Sequence, residues 1–226
     1  MFGADDNFYS GHRGRLRQKF IDGKLADYEL LELLLGYAIP RRDVRPLARG
    51  LLQKYGGIYQ ILTASRDELE KFPGIGHSTA LFLKVIHNIV LVGYRKRLDE
   101  RPIFHDENLL ADYCRLLLNG KAVEEFHVIY LDSDMHILRD DTHSCGTSDW
   151  AAVYPREIVK CALEQNSTSV VIVHNHPISG RSFSHDDIEM THEIQRLLNV
   201  FGIRLYDHFL VAGDVLYSAR NMQLLK

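Results

Sequence analysis

The sequence predicts an α+β protein of mixed α/β character: an all-helical module over residues 1–100, then a domain at 101–226 whose mixed sheet is flanked by helices. Three observations lead there. Apolar residues recur at helical spacing from Tyr28 to Tyr94. Alternation of period two begins only near Glu124, where Phe126, Val128 and Tyr130 interleave with His127, Ile129 and Leu131. Beyond it the segments follow the order β, β, α, β, α, β, β, β, which suits a largely antiparallel sheet carrying helices.

Taken in order, Arg13 to Lys19 places four cations in a short basic arm ahead of any strong apolar pattern. It is either a solvated arm or a phosphate contact. From Asp27, Tyr28, Leu30, Leu31, Leu34 and Leu35 form a helical face that Gly36 and Pro40 stop. A second helix fits Val44 to Tyr55 and ends at Gly56-Gly57, and residues 58–72 read as helical with Ser65 as N-cap. Pro73-Gly74-Ile75-Gly76 breaks that pattern, and a long apolar helix follows from Ser78 to Tyr94. The charged run Arg95 to Pro102 is the expected linker.

In the second part a helix covers 107–118, and a hairpin joins strands at 124–132 and 135–139 through Ser133-Asp134. Pro155 suits the first turn of a helix bearing Ile158, Val159, Ala162 and Leu163. Val170 to Val173 is a short, β-branched, wholly apolar run and predicts a strand buried on both faces. A helix with Ile188, Thr191, Ile194, Leu198 and Phe201 on one side follows, then strands near 203–206, 209–212 and 215–218.

Bulk composition narrows the function classes. Of 226 residues, 46% are hydrophobic and 25% charged, which excludes a disordered chain. Cys114, Cys145 and Cys161 lack C-x-x-C spacing, so neither a disulfide framework nor a thiolate metal site is expected, and a reducing cytoplasm suits them. No apolar run approaches the roughly 18 residues that span a bilayer, and the N-terminus is no signal peptide; no membrane partner and a cytoplasmic location are expected. The net charge of −3 divides unevenly. Residues 1–100 carry +4 (16 Lys and Arg against 12 Asp and Glu), and residues 101–226 carry −7 (11 against 18). A polyanion would meet the front half first.

The chemistry concentrates after the buried strand. His174 and His176 stand two apart at its carboxyl end, so both rings leave the same face of an extended chain, about 7 Å apart at Cα. A helix starting after Ser184 can turn Asp187 back toward them. Two histidines and a carboxylate leave the fourth position of a tetrahedral zinc open for water, the arrangement of catalytic rather than structural sites. Ser184-x-x-Asp187 is equally a capping box, with Ser184 as N-cap.

The conjunction His-x-His-x7-Ser-x2-Asp resembles the signature of the JAMM (JAB/MPN) metalloprotease superfamily. Val-Tyr-Pro-Arg-Glu-Ile-Val-Lys before the strand, His-Asn-His-Pro at its end and Leu205-Tyr206-Asp207-His208 beyond are similar to the bacterial RadC family, a name associated with DNA repair. The resemblance implies Zn2+ on His174, His176 and Asp187, a glutamate base from an early strand and Ser184 as donor to the oxyanion. Glu124 fits the RadC-like pattern of Glu, any residue, Phe, then an apolar strand ending in Leu-Asp; Glu125 does not. Asp207-His208 is either a carboxylate supporting a ligand histidine or a buried structural pair. Pro73, Gly74, Ile75 and Gly76 between two helices resemble a helix-hairpin-helix, in which glycines and helix-end amides contact phosphate; the same glycines also serve simply to turn the chain. The hairpin lacks the cation often found after its second glycine, since none precedes Lys84. The expected function is hydrolysis of a peptide or isopeptide bond in a peptide or protein substrate, with possible non-specific DNA contact. Alternatives are a DNA-associated protein with a structural zinc domain and a metal-dependent nuclease.

Overall fold

The protein is described by a computed structural model covering residues 11–100, 102–103, 106–145, 154–177 and 182–225. The chain divides into a unit up to His87 and a unit from Asn88.

The first unit is helical: α1 (Gly11–Ile21), α2 (Asp27–Ala38), α3 (Arg45–Tyr55), α4 (Ile58–Thr63), α5 (Arg66–Glu70) and the first half of α6 (His77–Asp99). Its core joins Leu31 and Leu35 of α2, Leu47 and Leu51 of α3, Ile61, Leu69, Ile75 and Leu83. The basic arm is in fact helix α1, lying against α2. Its side chains meet two buried carboxylates: Lys19 Nζ lies 2.5 Å from Glu29 and His12 Nε2 lies 2.6 Å from Glu32. The Arg13 guanidinium donates to the carbonyls of Ile39 (3.2 Å), Arg42 (2.7 Å) and Pro40, gathering the orphan acceptors beyond the end of α2. Gly36 lies inside α2, which runs on to Ala38. Residues 58–72 are not one helix. The chain extends at Ala64 and Ser65, Ser65 accepts from the Glu68 N–H as an N-cap, and Lys84 Nζ donates to the carbonyls of Leu62, Thr63 and Ala64 at 2.8, 3.3 and 3.0 Å.

The division between units falls inside α6. The charged run expected as a linker is, as far as Asp99, the end of that helix, because Leu98 is buried and Arg95 pairs with Asp99 at 3.2 Å along it.

The second unit contains α7 (Glu107–Leu118), β1 (Glu125–Leu131), β2 (Ile137–Cys145), α8 (Pro155–Glu164), β3 (Ser169–Asn175), α9 (His185–Val200), β4 (Arg204–Ala212) and β5 (Val215–Ser218). The strands form one sheet in the order β2-β1-β3-β4-β5. Only β3 and β4 are parallel, joined through α9; the remaining pairs are antiparallel. Side chains of alternate parity cover two faces. Ile129, Leu131, Val171, Val173 and Phe209 pack with α7, while Phe126, Val128, Tyr130, Val170 and Ile172 pack with Ile158 and Ala162 of α8 and Ile194 and Leu198 of α9. β3 is buried along its whole length, as a strand covered on both faces must be.

Two strand boundaries differ from expectation. β2 continues to Cys145 because its polar residues sit in register with β1, Asp141 opposite Val128 and Thr142 opposite His127. The segments near 203–206 and 209–212 are one strand, because Asp207 and His208 stay in the ladder opposite Val171 and Ile172 and both polar side chains find buried partners there.

Candidate metal centre

Parity along the sheet decides which side chains meet. His174 shares the α8–α9 face with Val170 and Ile172, and Phe126 lies opposite it on β1. Glu124, two residues before Phe126, reaches the same face; Glu125 goes to the other, where it pairs with Lys121 at 3.0 Å and His127 at 3.1 Å. Burial pushes the Glu125 carboxyl up, but the hydrogen bonds from His127 and Lys121 prevail and lower it, as befits an ion-paired structural carboxylate. Ser184 caps α9 and turns Asp187 inward, so that Glu124, His174, His176 and Asp187 offer ligand atoms within 4.8 Å of one another.

Three of these side chains close on one another, each imidazole facing its own Asp187 oxygen. His174 Nε2 to His176 Nε2, His174 Nε2 to Asp187 Oδ1 and His176 Nε2 to Asp187 Oδ2 are each 3.3 Å. For bonds of about 2.0–2.1 Å to a tetrahedral cation, the ligand–ligand edge is about 3.3–3.4 Å. The donor set therefore fits zinc in chemistry, and the two ring nitrogens stand at the tetrahedral spacing. Desolvation pushes the Asp187 carboxyl up, but hydrogen bonds with His174 and His176 outweigh it and hold the group well below the usual carboxylate range. The Ser184 N–H and Oγ–H both donate to Asp187 Oδ2 at 2.7 Å, and Ser184 Oγ accepts from the Asp187 N–H at 3.1 Å. The capping box is thus present, and it orients the Asp187 carboxylate toward the two histidines.

A second set of residues orients His174. Thr191 Oγ donates to the Asp187 carbonyl at 2.5 Å, so toward His208 Nδ1, 2.6 Å away, it accepts. Burial holds the His208 ring far below its ordinary range, hence neutral, with its proton on Nδ1. Its Nε2 then accepts from His174 Nδ1–H at 2.8 Å, which leaves His174 Nε2 with a lone pair facing the site. Phe126 stacks on His174, and Phe183 lies edge-on to His208 at 4.9 Å between centroids, closing the histidines off from water. Asp207, for which support of a ligand histidine was one of two expected roles, turns elsewhere, accepting from Ser218 Oγ at 2.6 Å and from the N–H groups of His208 (2.7 Å) and Arg220 (3.0 Å). Burial raises its carboxyl despite these bonds. Thr191 appeared in the sequence only as a helix-face position.

In the helical unit, Pro73, Gly74, Ile75 and Gly76 form the turn between α5 and α6. Gly74 has φ +95°, a left-handed conformation that favours glycine, and Ile75 is the buried anchor of the turn. A Cβ on Gly74 would stand 3.2 Å from the Arg42 guanidinium, so a cation absent from the local sequence lies against the turn from the α2–α3 connection.

Residues 104–224 match the family described as the RadC-like JAB domain, and residues 13–81 match the UPF0758 N-terminal family. The chain belongs to the RadC family. A UPF0758 protein of Ruegeria pomeroyi is 37% identical to it over 217 residues, covering 95% of this chain and 97% of that protein. One of Fusobacterium nucleatum is 37% identical over 219 residues, covering 92% and 94%. In this RadC-family chain the JAB match contains all four clustered residues, and the N-terminal match contains the Pro73–Gly76 turn.

Proposed function

We propose that the second unit is a JAMM-type zinc hydrolase acting on a peptide or isopeptide bond. The observation that carries this reading is the convergence of His174, His176 and Asp187 through 3.3 Å contacts, with Glu124 in the same cluster. Zinc held by the three donors would lower the pKa of a water molecule and polarise the scissile carbonyl. Glu124, the fourth member of the cluster, takes the water's proton during attack and returns it to the leaving amine. Ser184 donates to the developing oxyanion after its hydroxyl hydrogen leaves Asp187 Oδ2, an atom that keeps the Ser184 N–H bond. The Thr191–His208–His174 chain fixes the ring of one ligand.

The test separates base from ligand. Glu124→Gln keeps zinc content and thermal stability while lowering turnover by roughly 10²–10⁴; Asp187→Ala loses the metal. The assay is a screen of zinc-loaded protein against peptide and isopeptide libraries, with DNA as the competing substrate class. Full activity of Glu124→Gln would reject the mechanism, and cleavage of phosphodiesters alone would move the reading to a nuclease. We also propose that the helical unit contacts DNA backbone without sequence preference, a role favoured by the exposed Pro73–Gly76 turn with Arg42 against it.

A further inference from the structure

We propose that Asp141 and His143 of β2 and Cys161 of α8 form a second metal site, built for a zinc-class divalent cation and sharing no residue with the first. A carboxylate oxygen, a ring nitrogen and the thiol sulfur lie within 4.8 Å of one another, and all three side chains are half-buried. One thiolate, one imidazole and one carboxylate suit zinc, cobalt or cadmium; calcium and magnesium take oxygen ligands and would decline the sulfur.

The surroundings hold the donors in place. β1 and β2 shift register between Phe126 and His127: Phe126 faces Ser144 and His127 faces Thr142, so His143 has no partner in the ladder. Such a bulge is a common device for re-aiming a side chain. Its ring is fixed by the Tyr130 hydroxyl, 2.6 Å from Nε2, and Arg139 Nε holds one oxygen of Asp141 at 2.5 Å, leaving the other for a cation. Burial and the neighbouring Cys161 raise the Tyr130 phenol, so it stays protonated as a hydrogen-bond partner. On binding, the Cys161 S–H proton passes to solvent and the thiolate takes its place on the metal. Cys161 has no C-x-x-C neighbour, so sequence spacing gives no sign of the site.

Sulfur makes the test selective, because the first site has no thiolate. Cobalt(II) chloride is titrated into the full-length, metal-free protein kept reduced with a phosphine. The expected result is an intense near-ultraviolet thiolate-to-cobalt band that saturates. It persists in Asp187→Ala and Cys145→Ser and disappears in Cys161→Ser and His143→Gln. Zinc equilibrium dialysis gives about two ions per chain for the native protein and about one for Cys161→Ser. Cys161→Ala serves as a second variant should the serine protein melt early. Absence of the band in the native protein, its survival in both Cys161 variants, or its loss in Cys145→Ser would each overturn the assignment.

Discussion

At the scale of single residues, one threonine hydroxyl sets the direction of a chain of protons. Because Thr191 gives its only hydrogen to the Asp187 carbonyl, His208 must present Nδ1–H to it, and His174 must present Nδ1–H to His208. Thr191→Val leaves the buried His208 N–H without an acceptor. We expect about 1–3 kcal/mol of lost stability and a roughly 10–100-fold loss of zinc affinity, read by thermal melts and chelator competition. Thr191→Ser should restore the affinity, which a purely steric role for the methyl group would not predict. The proposed ligands were legible in sequence because His174, His176 and Asp187 belong to one strand, one turn and one helix start. His208 and Thr191 were not. Their meeting depends on the β3–β4 register, which sets Ile172 opposite His208 and has no local signature.

At the scale of elements, the start of α7 is tied to β4 and to the segment after β5. Glu107 accepts from the Tyr206 hydroxyl of β4 and from Arg220 at 2.9 Å. The Tyr206 bond and the Arg220 charge hold the Glu107 carboxyl below its ordinary 4.5. A depressed carboxylate contributes stability that is present above its unfolded value and lost as pH falls through the folded one. The melting temperature should therefore fall as pH drops below about 4.5, and Glu107→Gln should flatten that acid limb. Half of the side chain is exposed, so solvent screening keeps the effect under about 1 kcal/mol. Most elements were readable from periodicity; α1, whose apolar pattern is weak, and most element ends were not. Residues 58–72 break at Ala64 because Lys84, twenty residues on, supplies donors for the open carbonyls. β4 runs through Asp207-His208 because both side chains are satisfied inside the fold.

At the scale of the whole molecule, the charge asymmetry is smaller in effect than its count. In α1, Arg13, Lys19 and His12 serve carbonyls and carboxylates of their own unit, so this segment offers an external polyanion less than its sequence suggests. DNA binding by the full-length protein should thus be weak and independent of sequence. The slope of log affinity against log salt should correspond to only a few phosphates, as fluorescence anisotropy at several salt concentrations would show. Arg42→Ala should reduce that slope by about one phosphate contact. An unchanged slope would place any DNA contact away from the Pro73–Gly76 turn.

The crossover through α9 has a thermodynamic consequence. Glu124 precedes β1, His174 and His176 end β3, Asp187 opens α9, and the support for His174 comes from β4. These groups come together only when the non-adjacent strands β1, β3 and β4 are all paired, so no partly folded form of the unit can offer the same cradle. Free zinc at 100 times its dissociation constant would add about 2.7 kcal/mol to the folded state. If zinc binds there, chelating it should lower the melting temperature of this unit and speed its proteolysis without unfolding it outright.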